Sequence, residues 1–284
     1  MSIRIILLSL IIAFLYSCTS EVNKKQESNK HELRIISLVP SITKEITELG
    51  LEDIIVGATN YCEITKSNKD LIIGSAIEIN EEKIILLKPD IVFASTLVKQ
   101  KSIEILKQNG IKVIFLPMSD SFEDLCDEMI RIGKILNKEE TAIKYVQKYK
   151  TKLDSIIMQM PKRESQPTVF FQLGANPIAT VIPNTYMNDF IIKANCKNIF
   201  YDLNKIIVNR ESILLRNPDY IIISAMGGIS NQEVDIWQKY QTINAVQNHN
   251  IFLVPSASLP TVVNFVNNFE IIINNIYFNK IIKE

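Results

Sequence analysis

Apolar residues in this chain gather in short unbroken runs set between amphipathic stretches, and that alternation predicts its elements. "LRIISLVPS" (33–41) is a strand ending in Pro-Ser, "ITKEITELG" a helix stopped by Gly50, and "IIVGATN" (54–60) a second strand. "NEEKIILLKP" is a short helix with acidic residues in its first turn, where the helix dipole favours them, and Pro89 ends it. "DIVFAS" follows as a buried strand, then "SIEILKQNGIKVIFLP" as helix, Gly110 turn and strand. Strands that are continuously apolar and alternate with helices indicate parallel sheets covered on both faces.

A helical stretch, "FEDLCDEMIRIGKILN", leads into a longer one over 137–161. There Asn137 and Glu140 have the spacing of a capping box. Ile143, Val146, Tyr149, Leu153, Ile156, Ile157 and Met160 make one apolar face, and Pro161 closes the helix. Such a helix runs about 33 Å, close to a domain diameter. Beyond the polar "PKRESQP" the alternation resumes: "TVFFQLG" (168–174) as strand, "MNDFIIKAN" as helix, "ESILLRNP" as short helix, "DYIIIS" as strand, and an apolar helix to close.

Two passages repeat. "EEKIILLKPDIVFAS" (81–95) and "RESILLRNPDYIIIS" (210–224) share a glutamate, an apolar stretch, a Pro-Asp and a run into serine, with Glu82 and Glu211 lying 129 residues apart. "NIFLVPS" (250–256) echoes "KVIFLPM" (112–118) in the same order. The expected fold is therefore α/β: two Rossmann-like lobes with parallel sheets, 33–136 and 162–284, joined by one long backbone helix, 137–161. Open parallel sheets bind ligands beyond the carboxyl ends of their strands, and two such edges set face to face make a cleft. The residues expected there are Pro40 and Ser41; Asn60, Tyr61 and Cys62; Ser95 and Thr96; Gly174, Ala175 and Asn176; Ala225 and Met226; and Ser256. Tyr61 is the best placed of these, since its ring can stack on a planar ligand while its hydroxyl stays wet.

Composition narrows the partners. The 284 residues carry Lys+Arg 31 against Asp+Glu 31, which argues against nucleic acid and leaves no polybasic face for anionic lipid. With only His31 and His249, a site of clustered imidazoles is not expected, and no metal or cofactor of its own is assigned. G-x-S-x-G, the P-loop, H-E-x-x-H and paired cysteine ligands are all absent from the sequence, so ligand capture rather than catalysis is expected. Arg4 precedes an apolar run from Ile5 to Leu8 and Leu10 to Tyr16, the pattern of an export signal over 1–17. That run ends in Leu15-Tyr16-Ser17-Cys18, which resembles a bacterial lipobox and makes Cys18 the expected lipidation site. Residues 18–32 then read as a polar tether, and several acyl chains would hold the protein to a membrane without spanning it. Cys62, Cys126 and Cys196 allow at most one disulfide, and Cys126 falls on a helix's apolar face.

"RIISLVPSITKEITELG", "NEEKIILLKPDIVFAS", "VFFQLGANP" and "NRESILLRNPD" together resemble the helical-backbone class of ABC-transporter substrate-binding proteins, which handles vitamin B12, ferric siderophores and haem. The likeness covers nearly all of 33–256 and is nearest to vitamin B12-binding proteins across "VFFQLGANP" and "KNIFYDLNKIIVNRESIL". It implies a class III periplasmic binding protein, monomeric, that closes little on its ligand and delivers it to an ABC permease and ATPase complex. It also implies that Glu82 and Glu211, one per lobe, dock into arginine pockets on the two permease subunits. Where relatives set aromatics around the corrin ring this chain has Ala76 and Ser95, and its one tryptophan, Trp237, lies elsewhere. The loop before "NRES" is shorter as well. The implied ligand is thus a metal chelate: cobalamin, a ferric siderophore or haem. Arg210 is the nearest arginine to meet an anionic one, and Tyr61 and Met226 are the positions for axial ligation. Two other readings stay open, a surface lipoprotein that scavenges ligand without a permease, and a two-lobed α/β enzyme.

Overall fold

In the computed structural model, which describes residues 32–75, 77–225, 231–255 and 259–278, the short apolar runs become the strands of two sheets. The first is built from β1 (Ile35–Ser37), β2 (Ile55–Ala58), β3 (Ile91–Ala94) and β4 (Lys112–Phe115), all parallel, in the order β2-β1-β3-β4. Its helices are α1 (Pro40–Glu48), α2 (Ile64–Ser67), α3 (Glu81–Leu87) and α4 (Gln100–Gln108). Helices α5 (Phe122–Ile135) and α6 (Glu139–Met158) follow. The second sheet has β5 (Thr168–Ala175), β6 (Ile178–Thr180), β7 (Lys197–Asn198), β8 (Tyr220–Ser224) and β9 (Ile251–Val254). Its order is β6-β5-β8-β9, with β7 pairing parallel to β5. Around it run α7 (Tyr186–Lys193), α8 (Arg210–Arg216), α9 (Asn231–Gln238), α10 (Asn244–Gln247) and α11 (Val262–Tyr277).

Side chains alternate across each strand, and the two faces go to different cores. Ile35, Ile91 and Phe93 face a central core, while Ile36 and Val92 face a core private to the first sheet. In the second sheet Val169, Phe171, Tyr220 and Ile222 join the same central core, and Phe170, Ile221 and Ile223 face a private one. Helices α5, α6 and α11 fill the centre. Phe265 of α11 stacks on Phe190 of α7 at 4.2 Å between ring centroids and lies 4.9 Å from Phe122 of α5. The Phe122 amide donates to Asp189 Oδ2 at 2.9 Å, which fastens the start of α5 to α7. Residues Leu33–Glu284 accordingly form one compact unit.

The repeated Pro-Asp has a structural cause. In the first sheet the Arg34 amide donates to Asp90 Oδ2 at 2.8 Å, and the Asp90 amide donates to the Arg34 carbonyl at 2.8 Å. In the second the Thr168 amide donates to Asp219 Oδ2 at 2.8 Å, and the Asp219 amide to the Thr168 carbonyl at 3.0 Å. Each aspartate thus ties the start of its own strand to the start of the neighbouring one. The preceding helices match too. Asn80 and Asn209 cap α3 and α8 by accepting from the amides of Lys83 and Ser212, both at 2.8 Å. Lys88 and Asn217 end them in the left-handed conformation.

Three local expectations are corrected. Pro40 and Ser41 do not finish a strand: Pro40 is in the first turn of α1, where its missing amide hydrogen costs nothing. Asn137 does not cap α6, whose Lys138 N-cap position makes no side-chain cap bond. Asn137 has φ 56°, and the Lys138 amide donates to the Gly133 carbonyl at 2.7 Å, so Asn137 closes α5 in a Schellman turn. That corner is tight enough that a Cβ on Gly133 would sit 2.5 Å from Ala142 Cβ. On α6 the buried residues are Ala142, Val146 and Leu153, whereas Ile143 is exposed.

Candidate functional site

The first sheet brings most of the nominated residues to one edge. Because β2, β1 and β3 are adjacent and parallel, the segments after Ala58, Ser37 and Ala94 leave from the same side. They carry Asn60 and Tyr61, Pro40 and Ser41, and Ser95 and Thr96 respectively. Tyr61 is 67% exposed, a large ring presented to solvent at a strand edge. Asn60 and Thr96 are exposed, Pro40 and Ser95 half-buried, and Ser41 buried. Ser95 Oγ accepts from the Leu97 amide, which turns the chain away from β3.

Cys62 does not line that edge. It is fully buried, with Sγ 3.1 Å from Thr43 Oγ1 and 3.2 Å from Thr59 Oγ1. Thr43 Oγ1 in turn lies 2.8 Å from Ser37 Oγ, so four small polar groups satisfy one another beneath the end of β1. The three described cysteines are all buried free thiols. Burial pushes the Cys126 and Cys196 thiols up to about 12.

The second edge has a different form from the loop expected after "TVFFQLG". The chain turns at Asn176 into β6, which pairs antiparallel with β5. Gly174 sits in this hairpin where a Cβ would lie 3.1 Å from the Pro177 carbonyl oxygen and 3.2 Å from Ala179 Cβ. Ala175 is half-buried, Asn176 and Ala225 exposed. Met226 and Ser256 lie outside the described residues, as do Ala76, the lipidation site Cys18, the export signal and His31.

Sequence reasoning missed the polar group under this edge. Gln172, buried in β5, accepts from Trp237 Nε1 at 2.7 Å and donates to Glu233 Oε1 at 3.0 Å. Arg210 Nη2 donates to the same Glu233 oxygen at 2.6 Å, and the guanidinium lies 4.5 Å from the Trp237 ring centroid. One nitrogen of Arg210 is therefore committed to Glu233, while Nη1 is buried without a hydrogen-bond partner. A glutamine inside an apolar strand and a lone tryptophan were the available signals; their partners lie 61 and 65 residues apart in sequence.

Glu82 and Glu211 occupy the second position of α3 and α8, and both are exposed. Neither makes an ion pair among the described residues. The first positions differ: Glu81 accepts from the Ser102 hydroxyl, which holds its carboxyl below the ordinary value, and Arg210 is bound as described. The lysine and arginines within these helices are engaged. Lys83 Nζ donates to the Asp70 and Ile72 carbonyls, both at 2.9 Å, and Arg216 pairs with Asp202 at 2.7 Å.

A cavity of about 240 Å³ lies between α1 and α2, lined by Thr43, Lys44, Thr47, Glu52, Glu63, Ile64 and Ser67. It includes none of the nominated residues and is smaller than a chelate of several hundred Å³ requires. Among the described residues no three His, Cys, Asp or Glu side chains converge on a metal-sized site, and no helix is long and apolar enough to cross a membrane.

The profile of a family described as periplasmic binding protein matches residues 35–257. An uncharacterised ABC transporter substrate-binding lipoprotein of Bacillus subtilis is 29% identical over 237 residues, covering 81% of this chain and 75% of that one. The vitamin B12-binding protein of Photorhabdus laumondii is 28% identical over 198 residues, covering 68% of this chain and 70% of that one. Among solved structures, a possible iron-binding (periplasmic solute-binding) protein from Staphylococcus epidermidis superposes with a TM-score of 0.75 at 30% identity. That match covers 86% of this chain and 98% of the other. These relatives are transport proteins, not enzymes.

Proposed function

Because the chain belongs to the periplasmic binding protein family, we propose that it is the lipid-anchored substrate-binding protein of an ABC importer, capturing a metal chelate between its two sheets. Its ligand is drawn from cobalamin, ferric siderophores and haem. The observation that carries the reading is that Asn60 and Tyr61, and Ser95 and Thr96, follow the carboxyl ends of β2 and β3, which flank β1 in one parallel sheet, with an exposed aromatic ring among them. The described residues of this edge are neutral hydrogen-bonding groups, and Arg210 is tied to Glu233. That chemistry suits a chelate with amide or hydroxamate groups on its periphery better than one with several carboxylates.

Lobe boundaries at 33–136, 137–161 and 162–284 fit two sheets with separate outer cores and one long helix. The 20 residues of α6 span about 30 Å. Lipid on Cys18 would hold the protein at a bacterial membrane, in the periplasm or at the cell surface. Glu82 and Glu211, exposed and one beside each sheet, would meet a two-fold permease in the same way twice.

The test is to purify the full chain from its native host, record its absorption spectrum, and identify the copurifying molecule by mass. Titration with cobalamin, haem and ferric hydroxamates should give one saturable ligand at micromolar concentration or below, weakened at least tenfold in Tyr61→Ala. No binding to any of the three would defeat the reading. Uptake unaffected by Glu82→Lys with Glu211→Lys would favour a scavenger that works without a permease.

A further inference from the structure

Helices α3 and α8 share a second matched feature. From Glu81 to Leu87 the burial sequence is part-buried, exposed, part-buried, buried, part-buried, exposed, part-buried, and Arg210 to Arg216 repeat it position for position. The buried place is Ile84 in one and Ile213 in the other, each in its sheet's private core. The second exposed place is a leucine in both: Leu86 is 79% exposed and Leu215 87%. One exposed leucine needs no explanation. Two at equivalent places in a duplicated element, each one turn beyond a carboxylate without an ion pair among the described residues, share a face with that carboxylate.

Resting on the docking reading of Glu82 and Glu211, we propose that Leu86 and Leu215 are the apolar half of that surface. Each seats in an apolar recess of one permease subunit, beside the basic group that receives the glutamate. Charge selects this occupant. The cations within both helices are engaged elsewhere, so the charge one turn before each leucine on the exposed face is a carboxylate, which calls for an apolar, basic partner. A second copy of this chain would set carboxylate against carboxylate at the same patch. A desolvated apolar contact ringed by a charge pair supplies affinity, while the glutamate sets register.

The experiment measures binding of the full chain to its host's permease–ATPase complex in nanodiscs, with Leu86→Asn, Leu215→Asn and the Glu82→Lys/Glu211→Lys double variant. Thermal melting and ligand titration serve as controls and should match the wild type. Each leucine variant should weaken binding about tenfold, and the glutamate variant should lose it. Leucine variants within twofold of wild type, with binding lost on glutamate reversal, would overturn the inference and leave the docking reading standing. Wild-type binding by the glutamate variant would bring down the docking reading itself. Sedimentation should show a monomer; a dimer that Leu86→Asn dissociates would reassign the leucines to self-association and overturn the proposal.

Discussion

Replacing Glu128 with glutamine should flatten the pH dependence of stability. The charge of Glu128 on α5 acts on Glu45 of α1. Burial raises the Glu45 carboxyl well above its ordinary range and the Glu128 charge raises it further, against the pull of the Val262 backbone. Burial likewise pushes Glu128 from 4.5 up to about 7, against the pull of the Ser119 hydroxyl and Arg131. A folded pKa above the unfolded one means the native state holds more protons between the two values. Stability is therefore full below about pH 4.5 and is lost as pH rises through about 7. A shift of 7 − 4.5 = 2.5 corresponds to about 3 kcal/mol at most, and about 2 after allowing for the partial exposure of Glu128. Urea unfolding at pH 5, 6, 7 and 8 reads this directly: the wild-type midpoint should fall by roughly 1 M for a slope near 2 kcal/mol/M. Glu128→Gln should recover that share, and adding Glu45→Gln should remove the further decline contributed by the more deeply buried Glu45 carboxyl. Stability that rises from pH 5 to pH 8, or an equal decline in Glu128→Gln, would refute the reasoning.

Gly133→Ala places a methyl group 2.5 Å from Ala142 Cβ and should cost about 1–3 kcal/mol in chemical denaturation, with Gly133→Ala/Ala142→Gly regaining much of it. Asp219→Ala strands the Thr168 and Asn244 donors and should cost about 2 kcal/mol by the same measurement. Burial opposes ionisation at Asp219, yet the Thr168 and Asn244 bonds hold its pKa below the ordinary value, so its contribution is present above about pH 4 and fades below it. Because all three described cysteines are buried thiols, dithiothreitol should leave the melting temperature unchanged, and native protein should resist alkylation at Cys126 and Cys196.

Much of this fold was legible because its signals are local. Continuous apolar strands marked parallel pairing, and the duplicated Pro-Asp marked a bond pattern that each sheet needs at its first strand. The hairpin at Asn176 escaped because β6 has three residues, too few for a period. Asn137 misled because asparagine both caps helices and tolerates the left-handed conformation, and the preceding helix decided which. At the site, exposure of Tyr61 followed from its place after a strand, but burial of Cys62 depended on Ser37, Thr43 and Thr59 closing over it. The Gln172–Glu233–Arg210 group joins segments that no local pattern connects.

The core common to both sheets bears on cargo release. Prying the sheets apart would wet Phe122, Phe190 and Phe265, at a cost on the order of 10 kcal/mol for three aromatics. Thermal agitation alone would then gape the molecule only about once in ten million. A carrier built this way would keep nearly the same outline empty and full, and a transporter would then have to sense cargo through side chains at the mouth and do the levering itself.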